Sequence, residues 1–358
     1  MAQRLKSLDM LRGLTVAGMI LVNNGYGESF QMLRHSQWNG MTPCDLVFPF
    51  FLFMMGVSCY LSLTKTAFTP SRPVLTRIVR RAVLLFAIGL FINWFELALD
   101  GRPLDFAHLR IWAVMQRIAL CYLFVSLFAL YCSHRFILTT VVILLGAYTA
   151  ILVFGNGYAE DATTNILARV DLSIFGYDHL YHKSPVDPEG FVGTISAIAH
   201  TLIGFYCGKV IKEKNFNLRL FAFATICLFV GYLLTYGLPL NKRVWSPSYV
   251  LVTCSLSTLL LALFIYVEGK AKDGTQRVQA DVYHFFRVFG VNALALYVCS
   301  ELLAILFSHF GINSILYDAL HAVVIPLKWA SLAYTILFVV INYLIGLILW
   351  KKQILIKL

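Results

Sequence analysis

NNGYGESFQMLRHSQWNGMTPCDLVFPFFLFMMGVSCYLSLT, residues 23–64, holds the reading that decides the fold. From Asp45 to Thr64 it is an almost uninterrupted apolar run. That is the length that crosses a hydrocarbon core, about 20 residues for about 30 Å. Its first part is polar and broken by glycine, and between the two sits His35-Ser-Gln-Trp38-Asn39-Gly40-Met-Thr42-Pro-Cys-Asp45. Hydrogen-bonding and proton-handling groups are thus gathered at the mouth of a membrane span, with an imidazole where bilayer meets water.

The same apolar signal recurs on either side of this stretch. Of 358 residues, 59% are hydrophobic and 13% charged, about half the charged share of a soluble domain. Ten spans are read, at 8–26, 45–64, 77–98, 110–131, 135–155, 189–211, 217–237, 247–267, 284–308 and 328–350. Each is taken as helical, because a spanning segment must satisfy its own backbone. The expected fold is an all-α integral membrane protein, a polytopic bundle of about 10 transmembrane helices, with residues 1–358 forming one domain. The segment 313–327, too short to span and broken by Pro326, reads as a re-entrant or surface helix. No cleavable signal is read, since Leu8 to Gly25 is long enough to span and no small-residue cleavage motif follows. The only long loop is 156–188.

A net charge of +11 could point to nucleic acid, but its placement points to a membrane. Arg4, Lys6, Arg12, the Lys65–Arg81 cluster, Arg135, Lys209–Arg219, Lys270–Arg287, Lys351, Lys352 and Lys357 fall on one side of the alternating spans. Asp and Glu, from Asp100 to Glu189, crowd loops of the other side. The positive-inside rule then puts both termini in the cytoplasm and His35 on the outer face. The eight cysteines contain no CxxC pair and read as small buried core residues. No two histidines share a carboxylate at ligand spacing on one helix, so no metal is expected. No Walker motif is present to cradle a nucleotide.

Charges inside spans are costly and therefore informative. Asp9 and Arg12 lie one turn apart, close enough to pair. Arg12 and Arg117 put two guanidiniums in one bundle, which favours an anionic ligand. Asp45 has two readings, as N-cap of its span or as the group that orients the His35 imidazole, and spacing does not separate them. Without further information these charges also suit a secondary transporter of an amino sugar or related solute.

Several strings, in order along the whole chain, resemble the heparan-α-glucosaminide N-acetyltransferase family. They are RLKSLDMLRG (4–13), HSQWNGMTPCDLVFPFFLFMMG (35–56), RIWAVMQRIALCY (110–122) and DPEGFVGTISAIAHTLIGFYCGK (187–209). LNKRVWSPSYV (240–250), FGVNALALY (289–297) and LWKKQILIKL (349–358) follow. The resemblance implies a bacterial-type, inner-membrane member without the lumenal domain and first anchoring span of the animal enzyme. It implies acetyl-CoA as co-substrate from the cytoplasm and an amino-sugar or glycan amine arriving from the other side. It places the active-site histidine on His35 and the active-site asparagine on Asn23 or Asn24.

Acyl transfer to an amine needs a deprotonated amine, a polarised carbonyl and exclusion of water. Imidazole, with an ordinary pKa of about 6.5, suits the first need. His35 is therefore expected as general base, or as nucleophile through an acetyl-histidine, and Asn23 or Asn24 as oxyanion donor. Trp38 is expected against the sugar face or the pantetheine arm, and Asn39 at the acceptor. Lys6, Arg12 and Arg117 are expected to meet the anionic groups of acetyl-CoA. Asp187 and Glu189, opening the sixth span, either bind the acceptor ammonium or complement a helix dipole. The implied partners are the glycan acceptor, the bilayer and, as the assembly considered, a homodimer.

Overall fold

The computed structural model describes residues 6–182, 184–270, 277–323 and 326–356. Arg4 and Lys357, and Lys272 of the Lys270–Arg287 cluster, lie outside the described residues. The described chain is all helical, with thirteen α-helices. They are α1 Lys6–Asn23, α2 Val47–Leu63, α3 Arg72–Leu99, α4 Val114–Tyr131, α5 Ile137–Phe154, α6 Ile166–Phe175 and α7 Thr194–Val210. Then come α8 Phe216–Leu234, α9 Pro247–Lys270, α10 Arg277–Val291, α11 Ala293–His309, α12 Ile312–Val323 and α13 Leu327–Lys351.

Seven described helical stretches are long and apolar enough to cross a membrane, those built on α2, α3, α4, α5, α8, α9 and α13. An eighth crossing results if the pair Tyr283–Val291 and Ala293–His309 is one span, bent by 81°. The straight span expected over 284–308 is therefore broken. The break falls at Asn292, whose side chain is turned to other work: its Nδ2 donates to Ile354 O at 3.0 Å and its Oδ1 accepts from Ile356 N at 3.0 Å. The two remaining expected spans are the helices α1 and α7. The first carries Lys6, Asp9 and Arg12 within 18 residues and the second has 17 residues. The segment read as too short to span is α12, of 12 residues. Pro326 ends the connection and caps α13, since proline suits a helix start and not its interior.

By contact density the chain divides into two compact units. One comprises residues 1–36, 41–51 and 260–357; the other comprises 37–40 and 52–259. In the first unit α1 packs on α10 through two glycines. A Cβ at Gly13 would stand 1.7 Å from Phe286 O, and one at Gly290 would stand 2.0 Å from Asp9 O. Small residues that let backbones touch are how helices associate where lipid is as apolar as the side chains. Val16, Ile20, Phe289, Leu296 and Phe338 fill the core beside this crossing. In the second unit α2 and α7 meet in the same way, Gly56 against Thr201 O and Gly204 against Phe53 O, at 2.0 and 2.1 Å from the added Cβ.

The loop 156–188 is not structureless, because α6 lies inside it. Asn165 starts that helix by accepting from Leu167 N at 2.9 Å, while its amide donates to Gly157 O and Ala159 O. At 10 residues the helix is too short to stand out as an apolar run.

Candidate active site

The turn that enters α2 builds the centre of the first unit. Residues Pro43–Leu46 form a short 3₁₀ turn. Thr42 is its N-cap, with extended backbone, and Pro43 takes the first position, where no amide donor is needed. Asp45 is thus not the N-cap of the span. It sits three residues after the cap and reaches back, its Oδ2 accepting from Thr42 N and Thr42 Oγ1, both at 3.0 Å, and from Ser36 N at 3.1 Å. Its Oδ1 is 2.8 Å from His35 Nδ1. The carboxylate is fully buried, whereas the His35 side chain is 44% exposed.

The N-cap reading of Asp45 thus gives way to Thr42, and the Asp45 side chain instead serves the turn and the imidazole together, with each oxygen engaged differently. The oxygen that organises the turn fixes the carboxylate, and the other oxygen accepts from the imidazole. An ionised carboxylate only accepts, so Nδ1 carries the proton and the lone pair lies on Nε2. Cys44 Sγ lies beside the ring, 3.1 Å from Nδ1 and 3.7 Å from Nε2.

In the same unit the two candidate asparagines differ. Asn24 turns its Nδ2 back onto Ile20 O at 2.8 Å, closing the last turn of α1. Asn23 is exposed and has no side-chain hydrogen bond to a described residue. At the other end of α1, Arg12 Nη1 pairs with the buried Asp9 at 2.9 Å, as their one-turn spacing predicts, and approaches Gly290 O at 3.5 Å. Lys6 is exposed and lies 5.9 Å over the Tyr283 ring.

In the second unit Trp38 is buried among Tyr148, Leu152, Leu167 and Val244, and its Nε1 donates to Tyr158 O at 3.0 Å. Its ring and its donor are both engaged in packing. Asn39 Oδ1 accepts from Asn241 Nδ2 at 3.1 Å, Gly40 N donates to Leu240 O at 2.7 Å, and Arg243 Nε donates to Gln37 O at 2.8 Å. Residues 37–40 are thereby stitched to the turn 240–246, a partner that sequence spacing did not identify.

Asp187 and Glu189 do not open α7, which begins at Thr194. Pro188 and the glycines at 190 and 193 hold the intervening chain in turns. Both carboxylates are claimed by Arg110 Nη2, at 3.1 and 3.0 Å. Asp187 also accepts from Tyr181 N and Glu189 N, each at 2.9 Å. Arg117 is 1% exposed, its guanidinium 5.0 Å over the Trp245 ring, with Nη2 donating to Gly190 O at 3.0 Å. It makes no ion pair with a described residue.

The sequence reading passed over Asp171 on α6. It is 1% exposed, and burial pushes its carboxyl from the ordinary 3.8 up to about 7. The charge of Asp187 adds to this rise; hydrogen bonds from the backbone at Phe191 and Val192, and the charge of Arg117, oppose it.

Fold and site together define a class, an all-α polytopic membrane protein with a buried carboxylate holding an accessible imidazole. The family model for the catalytic region of heparan-alpha-glucosaminide N-acetyltransferase matches residues 4–238, more than half of the chain. The heparan-alpha-glucosaminide N-acetyltransferase of Mus musculus is 30% identical over 365 residues, covering 84% of this chain and 54% of its own. That of Homo sapiens is 29% identical over 361 residues, covering 83% and 53%. The chain belongs to this family, and it spans about half the length of these curated relatives.

Proposed function

We propose that the protein is a transmembrane N-acetyltransferase. It moves an acetyl group from acetyl-CoA at the cytoplasmic face to the amine of an amino sugar or glycan at the opposite face. Both termini lie in the cytoplasm, the side on which the basic residues concentrate. The observation that supports this reading most is the His35–Asp45 pair, found in a chain of this family.

The acceptor ammonium releases one proton to water, and His35 Nε2 takes the second from the attacking nitrogen, while Asp45 holds the tautomer and steadies the imidazolium. Asn23 donates to the carbonyl oxygen as it gains charge. Asn24, whose amide is turned onto Ile20 O, supports the helix end from which Asn23 projects. The new C–N bond forms as the C–S bond breaks, and the proton held on His35 passes to the departing thiolate. Lys6 and Arg12 meet the phosphates of acetyl-CoA; Arg12 keeps its Asp9 partner, which fixes the guanidinium in position. Arg117 is reassigned from that set to positioning, because its one described hydrogen bond fixes the turn at Gly190. Asp187 and Glu189, both paired with Arg110, brace the chain before α7 rather than bind an amine.

The test is acceptor-dependent release of the CoA thiol by purified protein in detergent, with glucosamine and short amino-sugar glycans as acceptors. Wild type is expected to release thiol only when an amine is supplied, and His35→Ala to lose that release. Equal release by both proteins would remove His35 from the reaction. Uptake of an amino sugar into vesicles without acetyl-CoA, with no thiol release from any acceptor, would replace the reading by transport.

A further inference from the structure

Arg287 is held between two rings. Tyr283 precedes it by four positions on α10, the spacing that brings side chains of one helix together. The Arg287 guanidinium stands 5.6 Å from that ring, and Trp350, at the end of α13, meets it at 4.6 Å. The two helices are fixed against each other nearby: Phe285 stacks on Tyr343 at 4.8 Å, and His284 meets Trp350 edge-on at 6.0 Å. All of these residues belong to the first unit.

Rings engage the flat face of a guanidinium, whereas its five N–H donors lie around the edge. Arg287 is half-buried, and among the described residues it has neither a carboxylate partner nor a hydrogen-bond acceptor. Lys6, 5.9 Å from the same Tyr283 ring, likewise has no ion pair among them. The acids met by α1 are committed elsewhere, Asp9 to Arg12 and Glu268 to Ser7 N, each at 2.9 Å. Two cations thus share one aromatic ring, and neither is neutralised by a described side chain. The positive-inside rule explains why basic residues collect where α1 begins and α13 ends. Exposed Lys351 and Lys352 satisfy that rule equally well. It does not explain a guanidinium fixed between two rings with its donor edge unmet. A planar fork in a fixed place is what grips phosphate oxygens two at a time.

We propose that Arg287, with Lys6 beside it, is a phosphate-binding site seated on Tyr283 and Trp350. The phosphate is that of an anionic phospholipid headgroup or of acetyl-CoA, which present the same oxygens to the fork. The site goes beyond the acetyltransferase reading, since a phospholipid occupies it whether or not acetyl is transferred.

The test is direct binding to purified protein in an uncharged detergent, with no acceptor amine present. One arm measures phosphatidylglycerol kept in preference to phosphatidylcholine, by native mass spectrometry; the other titrates CoA by calorimetry. Each is run on wild type, Arg287→Gln, Lys6→Gln and Lys352→Gln. Arg287→Gln should weaken at least one probe about tenfold or more, the scale of a charge-assisted hydrogen bond. Lys6→Gln should weaken the same probe, and Lys352→Gln should change it less than about twofold, as a solvated charge does. Loss confined to phosphatidylglycerol assigns the headgroup, loss confined to CoA assigns the co-substrate, and loss of both assigns a seat that takes either. Lys6 is exposed, so Lys6→Gln decides alone if Arg287→Gln does not fold. Failure of both probes to bind wild type, unchanged binding in Arg287→Gln, or an equal loss in Lys352→Gln would overturn the site. The acetyltransferase reading is judged separately, by acceptor-dependent thiol release, and stands or falls without this site.

Discussion

Replacing Asp45 by Asn tests how the turn and the imidazole depend on one side chain. In the wild type Oδ2 accepts from Ser36 N, Thr42 N and Thr42 Oγ1, and Oδ1 accepts from His35 Nδ1. Asparagine has only one oxygen for these two tasks. If the oxygen keeps the three turn donors, the amide NH₂ faces His35 Nδ1, which must then present a lone pair. The proton moves to Nε2 and the base is lost. If the amide flips, the imidazole keeps its tautomer, but two backbone N–H groups face a donor. Leaving them unmet costs about 1–3 kcal/mol each, so the first arrangement is favoured by about 2–6 kcal/mol. Asp45→Asn should therefore fold, with a small loss of thermal stability, and lose about 10²- to 10⁴-fold in kcat, the range of general-base catalysis. The assay is acceptor-dependent thiol release at saturating acetyl-CoA, beside a melting curve of the same preparation. A folded Asp45→Asn protein with kcat within about threefold of wild type would refute the tautomer argument.

Asn23→Ala should lower kcat by about 10²- to 10³-fold, as loss of an oxyanion donor does. Asn24→Ala should instead lower the melting temperature, because its amide closes α1 on Ile20 O; comparing kcat with melting temperature for the two variants separates the roles. Gly204→Val forces a side chain into Phe53 O, 2.1 Å from the first added carbon, and should destabilise the protein by several kcal/mol, read as lost melting temperature or expression. Asp171 gives a pH signature. Its folded-state pKa of about 7 lies above the ordinary 3.8, so between those values the folded state holds the proton and the unfolded state does not. The stability it contributes is full below about 3.8 and is lost as pH rises toward about 7. Asp171→Asn should remove that slope and melt no lower than wild type at pH 8, by calorimetry or fluorescence. The charge of Asp187, which raises the group, and that of Arg117, which lowers it, set the midpoint. If His35 acts as nucleophile, labelled acetyl-CoA without acceptor should leave acetyl on the protein; the base mechanism predicts none.

How much of this was legible depends on the range of each signal. Apolar runs of spanning length marked most helices, because burial in lipid leaves that pattern in composition alone. The Asp9–Arg12 pair was legible because it is local to one turn. His35 and Asp45 were singled out together, and the Thr42-Pro-Cys-Asp45 spacing carried more than was taken from it. A Thr followed three residues later by an acidic side chain is the signature of a turn that caps itself. The break at Asn292 was hidden because the apolar run continues through it, and only the tail contacts at Ile354 and Ile356 show why the helix stops. Arg110 and the carboxylates it pairs with lie 77 and 79 positions apart, beyond any periodicity, so the shared partner of Asp187 and Glu189 left no trace in the sequence. Trp38 invited a ligand role by its neighbours in sequence, whereas its neighbours in space are an apolar core.

The central claim is transfer of acetyl across a bilayer by the His35–Asp45 pair, and sealed proteoliposomes test it most directly. Glucosamine is trapped inside, labelled acetyl-CoA is supplied outside, and the lumen is analysed for N-acetylglucosamine, with wild type beside His35→Ala. The account predicts labelled product inside vesicles whose protein exposes its termini to the acetyl-CoA, and none with His35→Ala. Labelled product in equal amount from both proteins, or thiol release with no product in the lumen, would contradict it.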